Sequence, residues 1–266
     1  MLNVAMLGAS GRMGRTIVPL IVASTDLRLS GALAAAGDAH IGHDAGVVAG
    51  TAPLAVSIGS DAGRVLEGAQ VAIDFTLPAA SLQHARRCLA RQVPLVIGTT
   101  GHDDAARAEI ARIAGSIPVV MAPNMSLGVN LLFKLAEIGA RALGAEYDIE
   151  IFEAHHRHKV DAPSGTALSL GRAVARGRGT TLEEAAEYAR HGAAGPRREG
   201  RIGFSVMRGG DIVGDHRVFF AGPGEQIELA HRAQDRSGFA RGAVAAARWV
   251  AGQPAGLYSM MDVLGL

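Results

Sequence analysis

The first third of the chain alternates short apolar runs with stretches whose apolar positions recur every three to four residues. LNVAML, LRLSGAL, VAIDFT, PLVIGTT and IPVVMAP read as strands. Residues 12–23, the segment AASLQHARRCLARQ starting near Pro78, and AARAEIARIAG read as amphipathic helices. This alternation predicts βαβ units, and hence a parallel, doubly wound sheet. After Asn124 the pattern changes. A long helix over VNLLFKLAEIGARALG leads to the strand YDIEIFEAHH, and RIGFSVMRG, DIVGDHRVFFAG and EQIELAHRA follow, joined by Gly and Asp-rich turns. They predict an α+β section whose sheet is mixed or antiparallel. Between them, 176–200 reads as an exposed loop with a short helix over LEEAAEYARH, and FARGAVAAARWVAG is a closing apolar helix. The expected organisation is two domains, 1–126 plus 236–266 and 127–235, with the last helix returning to the first.

Composition narrows the classes. Of 266 residues, 48% are hydrophobic and 19% charged, which excludes a disordered chain. With 26 basic and 25 acidic residues the net charge is +1, so no global field favours nucleic acid or an anionic membrane, and anion binding has to be local. The single cysteine, Cys88, excludes an internal disulfide framework and a multi-cysteine zinc site, and fits a cytoplasmic location. MLNVAMLGASGRMG carries no basic leader, so no export is expected; apolar runs such as TIVPLIVAS fall well short of the roughly 20 residues of a membrane span.

GASGRMG lies between the first strand and the first helix, where backbone N–H groups and the helix dipole receive a pyrophosphate. Gly8, Gly11 and Gly14 form a GxxGxxG variant, and Arg12 adds a cation; the alternative is a tight turn with close helix packing. The acidic residue that commonly reads the ribose about 20 residues on is missing, because GALAAAGD places Ala34 and Ala35 there, and Asp38 is far along the loop. NADH and NADPH therefore both remain open, with a mild preference expected. GTTG (98–101) and APNMS (122–126) follow two further strands, at the sheet end where ligands bind, although each alone also fits an ordinary loop.

EAHHRHKVDAPSGTA (153–167) packs three histidines, an arginine and a lysine into five positions. A metal site using Glu153, His155, His156, His158 and Asp161 is conceivable, but Arg157 and Lys159 lie among those ligands and no HExxH spacing occurs, so no metal is expected. In an extended segment, His155, Arg157 and Lys159 share one face and His156 and His158 the other. The first face suits anion binding and proton transfer; a solvated surface run is the plain alternative. Ser164, Gly165 and Thr166 then open a helix, a place for a carboxylate. Cations and a helix N-terminus thus converge on one small substrate bearing carboxylates, with hydride expected from the Rossmann-like domain.

These residues, together with DFTLP, VIGTTG, APNMSLGVN, GDIVGDH and GAVAAARW, resemble the 4-hydroxy-tetrahydrodipicolinate reductase (dihydrodipicolinate reductase) family of lysine biosynthesis over nearly the whole chain. The resemblance implies a Rossmann-like nucleotide domain completed by the C-terminal helix, a central substrate domain and a cytoplasmic homotetramer built through the central sheets. By position it implies His155 and Lys159 as the catalytic pair, His156 as a substrate ligand, and Gly165 with Thr166 as the carboxylate site. It further implies nucleotide contacts at Gly8, Ala9, Ser10, Gly11, Arg12 and Met13, at Gly98, Thr99 and Thr100, and at Ala122, Pro123, Asn124 and Met125. Many members carry an acidic residue, sometimes with an adjacent arginine, where this chain has Ala34 and Ala35, so the resemblance does not carry over a cofactor preference. Other nicotinamide enzymes acting on dicarboxylic amino acids, or a regulatory nucleotide-binding module, are the remaining alternatives.

Overall fold

The computed structural model describes residues 1–266, which form two units: Met1–Leu127 with Arg236–Leu266, and Gly128–Asp235. In the first unit β1 (Leu2–Leu7), α1 (Arg12–Val22), β2 (Leu27–Leu33), α2 (Ala45–Val48), β3 (Ile58–Gly59) and α3 (Ala62–Val65) come first. Then follow β4 (Val71–Asp74), α4 (Pro78–Arg91), β5 (Leu95–Ile97), α5 (Asp104–Ala114) and β6 (Pro118–Met121). The long helix α6 (Leu127–Leu143) leads into the second unit, with β7 (Asp148–His155), α7 (Gly165–Gly177), α8 (Leu182–Ala185), β8 (Ala186–Glu187), β9 (Ile202–Arg208), β10 (Gly214–Gly222) and β11 (Glu225–Ala233). The chain then returns to the first unit with α9 (Ser237–Val250), β12 (Gly256–Tyr258) and α10 (Met260–Leu264).

The seven strands of the first sheet run parallel in the order β12-β6-β5-β4-β1-β2-β3. Helices cover both faces, and this is why the strands are continuous apolar runs. Along β1, Val4 and Met6 join the core beneath α1 and α9, while Ala5 and Leu7 join the core beneath α4 and α5. The chain winds outward from β1 through β2 and β3 and then restarts at β4 on the other side of β1. Such a reversal leaves a crevice at the carboxyl ends of the two central strands, where ligands bind in open parallel sheets.

The second sheet has the order β11-β10-β7-β9-β8. β10 pairs antiparallel with β7 and β11, whereas β9 runs parallel to β7 and β8, so the sheet is mixed. On β7 the inward positions are Ile149, Ile151, Glu153 and His155, and on β10 they are Gly214, His216, Val218 and Phe220. Both strands therefore turn from apolar to polar along one buried face.

The sequence pattern misjudged one helix. LEEAAEYARH is helical only to Ala185, after a Thr181–Glu184 capping box, because Ala186 and Glu187 then pair with β9. Sheet pairing overrides local propensity there. The short elements α2, β3, α3, β12 and α10 span two to five residues, too few for a period to be read. No helix is long and apolar enough to cross a membrane.

Candidate active site

In the first unit the glycine loop sits at the sheet reversal. Gly8 takes φ +90°, and a Cβ there would lie 2.5 Å from the Phe75 carbonyl oxygen that follows β4. A Cβ on Gly14 would lie 2.3 Å from the Gly8 oxygen, so α1 approaches the loop more closely than any side chain allows. Gly11 caps α1 without a side-chain hydrogen bond, leaving the first-turn N–H groups without a side-chain cap. A cavity of about 320 Å³ opens here, lined by Gly8, Ser10, Gly11, Ala34, Asp38 and Thr76 among others. The missing bulk at Gly8 and Gly14, the uncapped helix start and the cavity fit a dinucleotide pyrophosphate.

Of the other expected nucleotide contacts, Ala9, Thr99, Ala122 and Met125 are buried, Arg12, Thr100 and Pro123 are exposed, and Met13 is half-buried. Asn124 accepts the Ser126 N–H at 2.9 Å. Gly98 lies against the Phe75 ring, where a Cβ would come within 2.2 Å. Thr99 links the loop after β5 to the loop after β4, donating to Asp74 Oδ1 at 2.6 Å and accepting from the Thr76 N–H at 2.8 Å. Asp74 is fully buried, and its Oδ2 lies 2.6 Å from Nδ1 of His84, whose ring reaches the cavity wall. Neither Asp74 nor His84 was among the residues singled out in the sequence. The available signal was an aspartate ending an otherwise apolar strand, VAID.

In the second unit β7 delivers the cationic loop. Glu153 occupies the inward position that Ile149 and Ile151 predict to be apolar, and it is completely buried. Its Oε2 accepts from His155 Nδ1 at 2.5 Å and Arg208 Nη1 at 2.8 Å, and its Oε1 from Arg208 Nη2 at 2.7 Å and the Ser164 N–H at 2.9 Å. Burial pushes the carboxyl up, but the hydrogen bonds from His155, Arg208 and Ser164 outweigh it and hold Glu153 down to about 2. A fixed anion thus holds His155 through Nδ1 and, with the same carboxylate, the residue that opens α7. Ser164 caps that helix, its Oγ accepting from the Ala167 N–H at 3.2 Å, and Gly165 and Thr166 form the first turn.

His216 stands beside them, its ring 5.1 Å from that of His155 in an edge-on contact and its Nε2 3.2 Å from Ser164 Oγ. Burial, then the neighbouring His155, push the His216 imidazole down to about 4. Sequence reasoning missed Arg208 and His216, which come from β9 and β10 and meet Glu153 and Ser164 only through sheet pairing.

One expectation about the loop is corrected. The strand ends at His155, and residues 156–159 turn, with the Lys159 N–H donating to the His156 oxygen at 3.1 Å, so His155, Arg157 and Lys159 do not form an extended face. The Lys159 ammonium lies 2.8 Å from Asp161 Oδ1. That bond in turn holds the Asp161 carboxyl below its ordinary value. His156 keeps Nδ1 buried without a protein partner. A separate cavity of about 280 Å³, lined by Tyr147, Arg178, Arg197 and Arg201, contains none of the expected site residues.

Comparison with known proteins agrees along the whole length. The family model described as dihydrodipicolinate reductase, N-terminus, matches residues 2–125, and that described as dihydrodipicolinate reductase, C-terminus, matches residues 128–264. The 4-hydroxy-tetrahydrodipicolinate reductase of Thiobacillus denitrificans is 54% identical over 264 residues, covering 99% of this chain and 98% of that protein. Its counterpart in Anaeromyxobacter dehalogenans is 51% identical over 266 residues, covering 100% and 98%. Among solved structures, the dipicolinate-bound dihydrodipicolinate reductase from Paenisporosarcina sp. TG-14 superposes with a TM-score of 0.77 at 24% identity, covering 98% of each chain. A glycine loop at the reversal of a parallel sheet and a buried carboxylate–histidine pair beneath a cationic turn thus occur in a chain that, by both halves of its sequence, belongs to the dihydrodipicolinate reductase family.

Proposed function

We propose that this chain reduces 4-hydroxy-tetrahydrodipicolinate, through its dehydrated cyclic imine, to tetrahydrodipicolinate, using NADH or NADPH in lysine and diaminopimelate biosynthesis. The observation that carries the reading is the single buried carboxylate of Glu153, which binds His155 and the N-terminus of α7 at once. One fixed anion thereby couples a proton-transfer group to an anion-binding helix start. The names of the relatives and the dipicolinate of the Paenisporosarcina complex support a dicarboxylate substrate.

The loop from Gly8 to Met13 holds the pyrophosphate, and Gly98 to Thr100 with Ala122 to Met125 border the nicotinamide. A reduced nicotinamide held by these loops would supply the hydride for the unsaturated imine. Gly165 and Thr166 receive a substrate carboxylate at the start of α7, and His156 adds a further ligand. Lys159 protonates the enamine carbon, with His155 placing it; general acid catalysis of this kind contributes roughly a hundredfold to ten-thousandfold. Residues 1–126 plus 236–266 bind nucleotide, and 127–235 bind substrate and assemble a cytoplasmic homotetramer. The exposed apolar side chain of Met207, on β9 at the sheet face opposite the one that carries Glu153 and Phe220, supports that assembly.

The test is oxidation of reduced nicotinamide in the presence of freshly generated substrate, with chelator present and absent. Substrate-dependent oxidation unaffected by chelator is expected. A chain that binds nucleotide but oxidises none of it with this substrate would not be this reductase.

A further inference from the structure

The cofactor reading leaves one task without a residue, because Ala34 and Ala35 carry neither a carboxylate nor a cation to read the adenosine ribose. Beyond β2 the chain turns back, the Asp38 N–H donating to the Ala35 oxygen at 2.9 Å, and this reversal brings Asp38 to the wall of the glycine-loop cavity. Its Oδ2 accepts from Ser10 Oγ at 2.7 Å, so the carboxylate is one hydroxyl from the phosphate loop. Its Oδ1 accepts from the His40 N–H and from His40 Nδ1, both at 2.8 Å.

On the far side of the ring, His40 Nε2 lies 3.0 Å from Arg15 Nη2, and Arg15 Nε donates to the Ser10 oxygen at 2.8 Å. A guanidinium only donates, so Nε2 accepts and the ring proton sits on Nδ1, aimed at Asp38. Hydrogen bonds from the His40 backbone, Ser10 and the His40 ring hold the Asp38 carboxyl down to about 2. Oδ1 is saturated by two donors; Oδ2 has one protein donor and keeps acceptor capacity. An ionised carboxylate oxygen with a spare lone pair, beside a phosphate loop, accepts a ribose hydroxyl and repels a 2′-phosphate. The one cation of this array, Arg15, is already tied to Ser10 and His40.

We propose that Asp38, positioned by Ser10, His40 and Arg15, reads the adenosine ribose and selects NADH over NADPH. The assignment rests on the nicotinamide-reductase reading above, and it replaces the mild preference expected from Ala34 and Ala35 alone.

The experiment measures dissociation constants of NADH and NADPH for the intact chain by nucleotide fluorescence, without substrate, in the wild type, Asp38→Asn, Asp38→Ala and Ser10→Ala. Thermal unfolding checks that each variant is folded. The wild type should bind NADH about tenfold or more tighter than NADPH. Asp38→Asn and Asp38→Ala should weaken NADH about tenfold while NADPH holds or tightens, bringing the ratio toward one, and Ser10→Ala should shift it the same way by less. Preference of the wild type for NADPH, or a ratio that both Asp38 variants leave within about twofold, overturns the assignment while leaving the reductase reading intact. Failure to bind either nucleotide overturns both.

Discussion

Glu153 carries more of the candidate site than any other side chain, and its charge state has a measurable consequence. Its carboxyl is depressed from 4.5 to about 2, and the His216 imidazole from 6.5 to about 4. In both cases the unfolded state binds the proton more readily, so stability rises with pH between the folded and unfolded values. The His216 contribution is complete above about pH 6.5 and is lost as pH falls toward 4; that of Glu153 is complete above about 4.5 and is lost toward 2. We predict that stability, from denaturant unfolding at a series of pH values, declines across both windows. His216→Gln should flatten the upper window and Glu153→Gln the lower. Unchanged slopes in both variants would show that neither group governs acid lability.

Lys159 poses the other residue-scale question, since its partner is Asp161. As proton donor, it makes Lys159→Met lower kcat by about a hundredfold or more with nucleotide affinity unchanged. A lysine that only binds a carboxylate would instead raise KM, and saturating substrate would restore turnover. Substrate titration of the variant distinguishes the two.

At the scale of elements, the approach of α1 to the glycine loop separates Gly14 from Gly11 by role. A Cβ on Gly14 meets the backbone oxygens of Gly8 and Ala9 at 2.3 and 2.6 Å, neither of which can move without displacing the loop. The nearest contact for Gly11 is 3.3 Å. Gly14→Ala should therefore cost about tenfold or more in nucleotide affinity, and Gly11→Ala markedly less, measured by nucleotide titration. Equal losses would show that backbone clearance is not what these positions supply. The GxxGxxG spacing located the loop, but the difference between Gly11 and Gly14 depends on the angle at which α1 meets β1. The same limit applies to β7. The alternation DIEIFEAH marks Glu153 as an acid on an apolar face, yet its partners Arg208 and Ser164 lie 55 and 11 residues away and are supplied by β9 and the start of α7.

At the scale of the whole molecule, the first unit is assembled from two distant parts of the chain. α9 inserts Ala240, Ala243, Val244, Ala246, Ala247 and Val250 into the same core as β1 and α1. Each buried valine contributes about 1.5–3 kcal/mol, a large share of a net stability of roughly 5–15 kcal/mol. A chain ending at Asp235 should therefore lose nucleotide binding and the cooperative unfolding transition of that unit, as followed by circular dichroism and titration. Retention of both would mean that α9 is dispensable to that core.

Periodicities of two and of 3.6, glycine at the turn after β1 and the run of cations after β7 are local properties of the chain, and they sufficed for the parallel sheet, a second sheet of mixed or antiparallel strands and the glycine loop, while the family was legible through the resemblance of whole motifs such as EAHHRHKVDAPSGTA. What required the tertiary structure were the groups that act through distant partners. Asp38 lies too far from β2 to be counted until the turn at Ala35 folds it back onto Ser10. His216 and Arg208 reach Ser164 and Glu153 only because β10 and β9 flank β7. Lys159 is paired with Asp161 because the chain leaves the extended conformation at His156. Local pattern encodes which face of an element is buried; which polar groups meet there is decided by strand order and loop reversal, and these depend on how the whole chain packs.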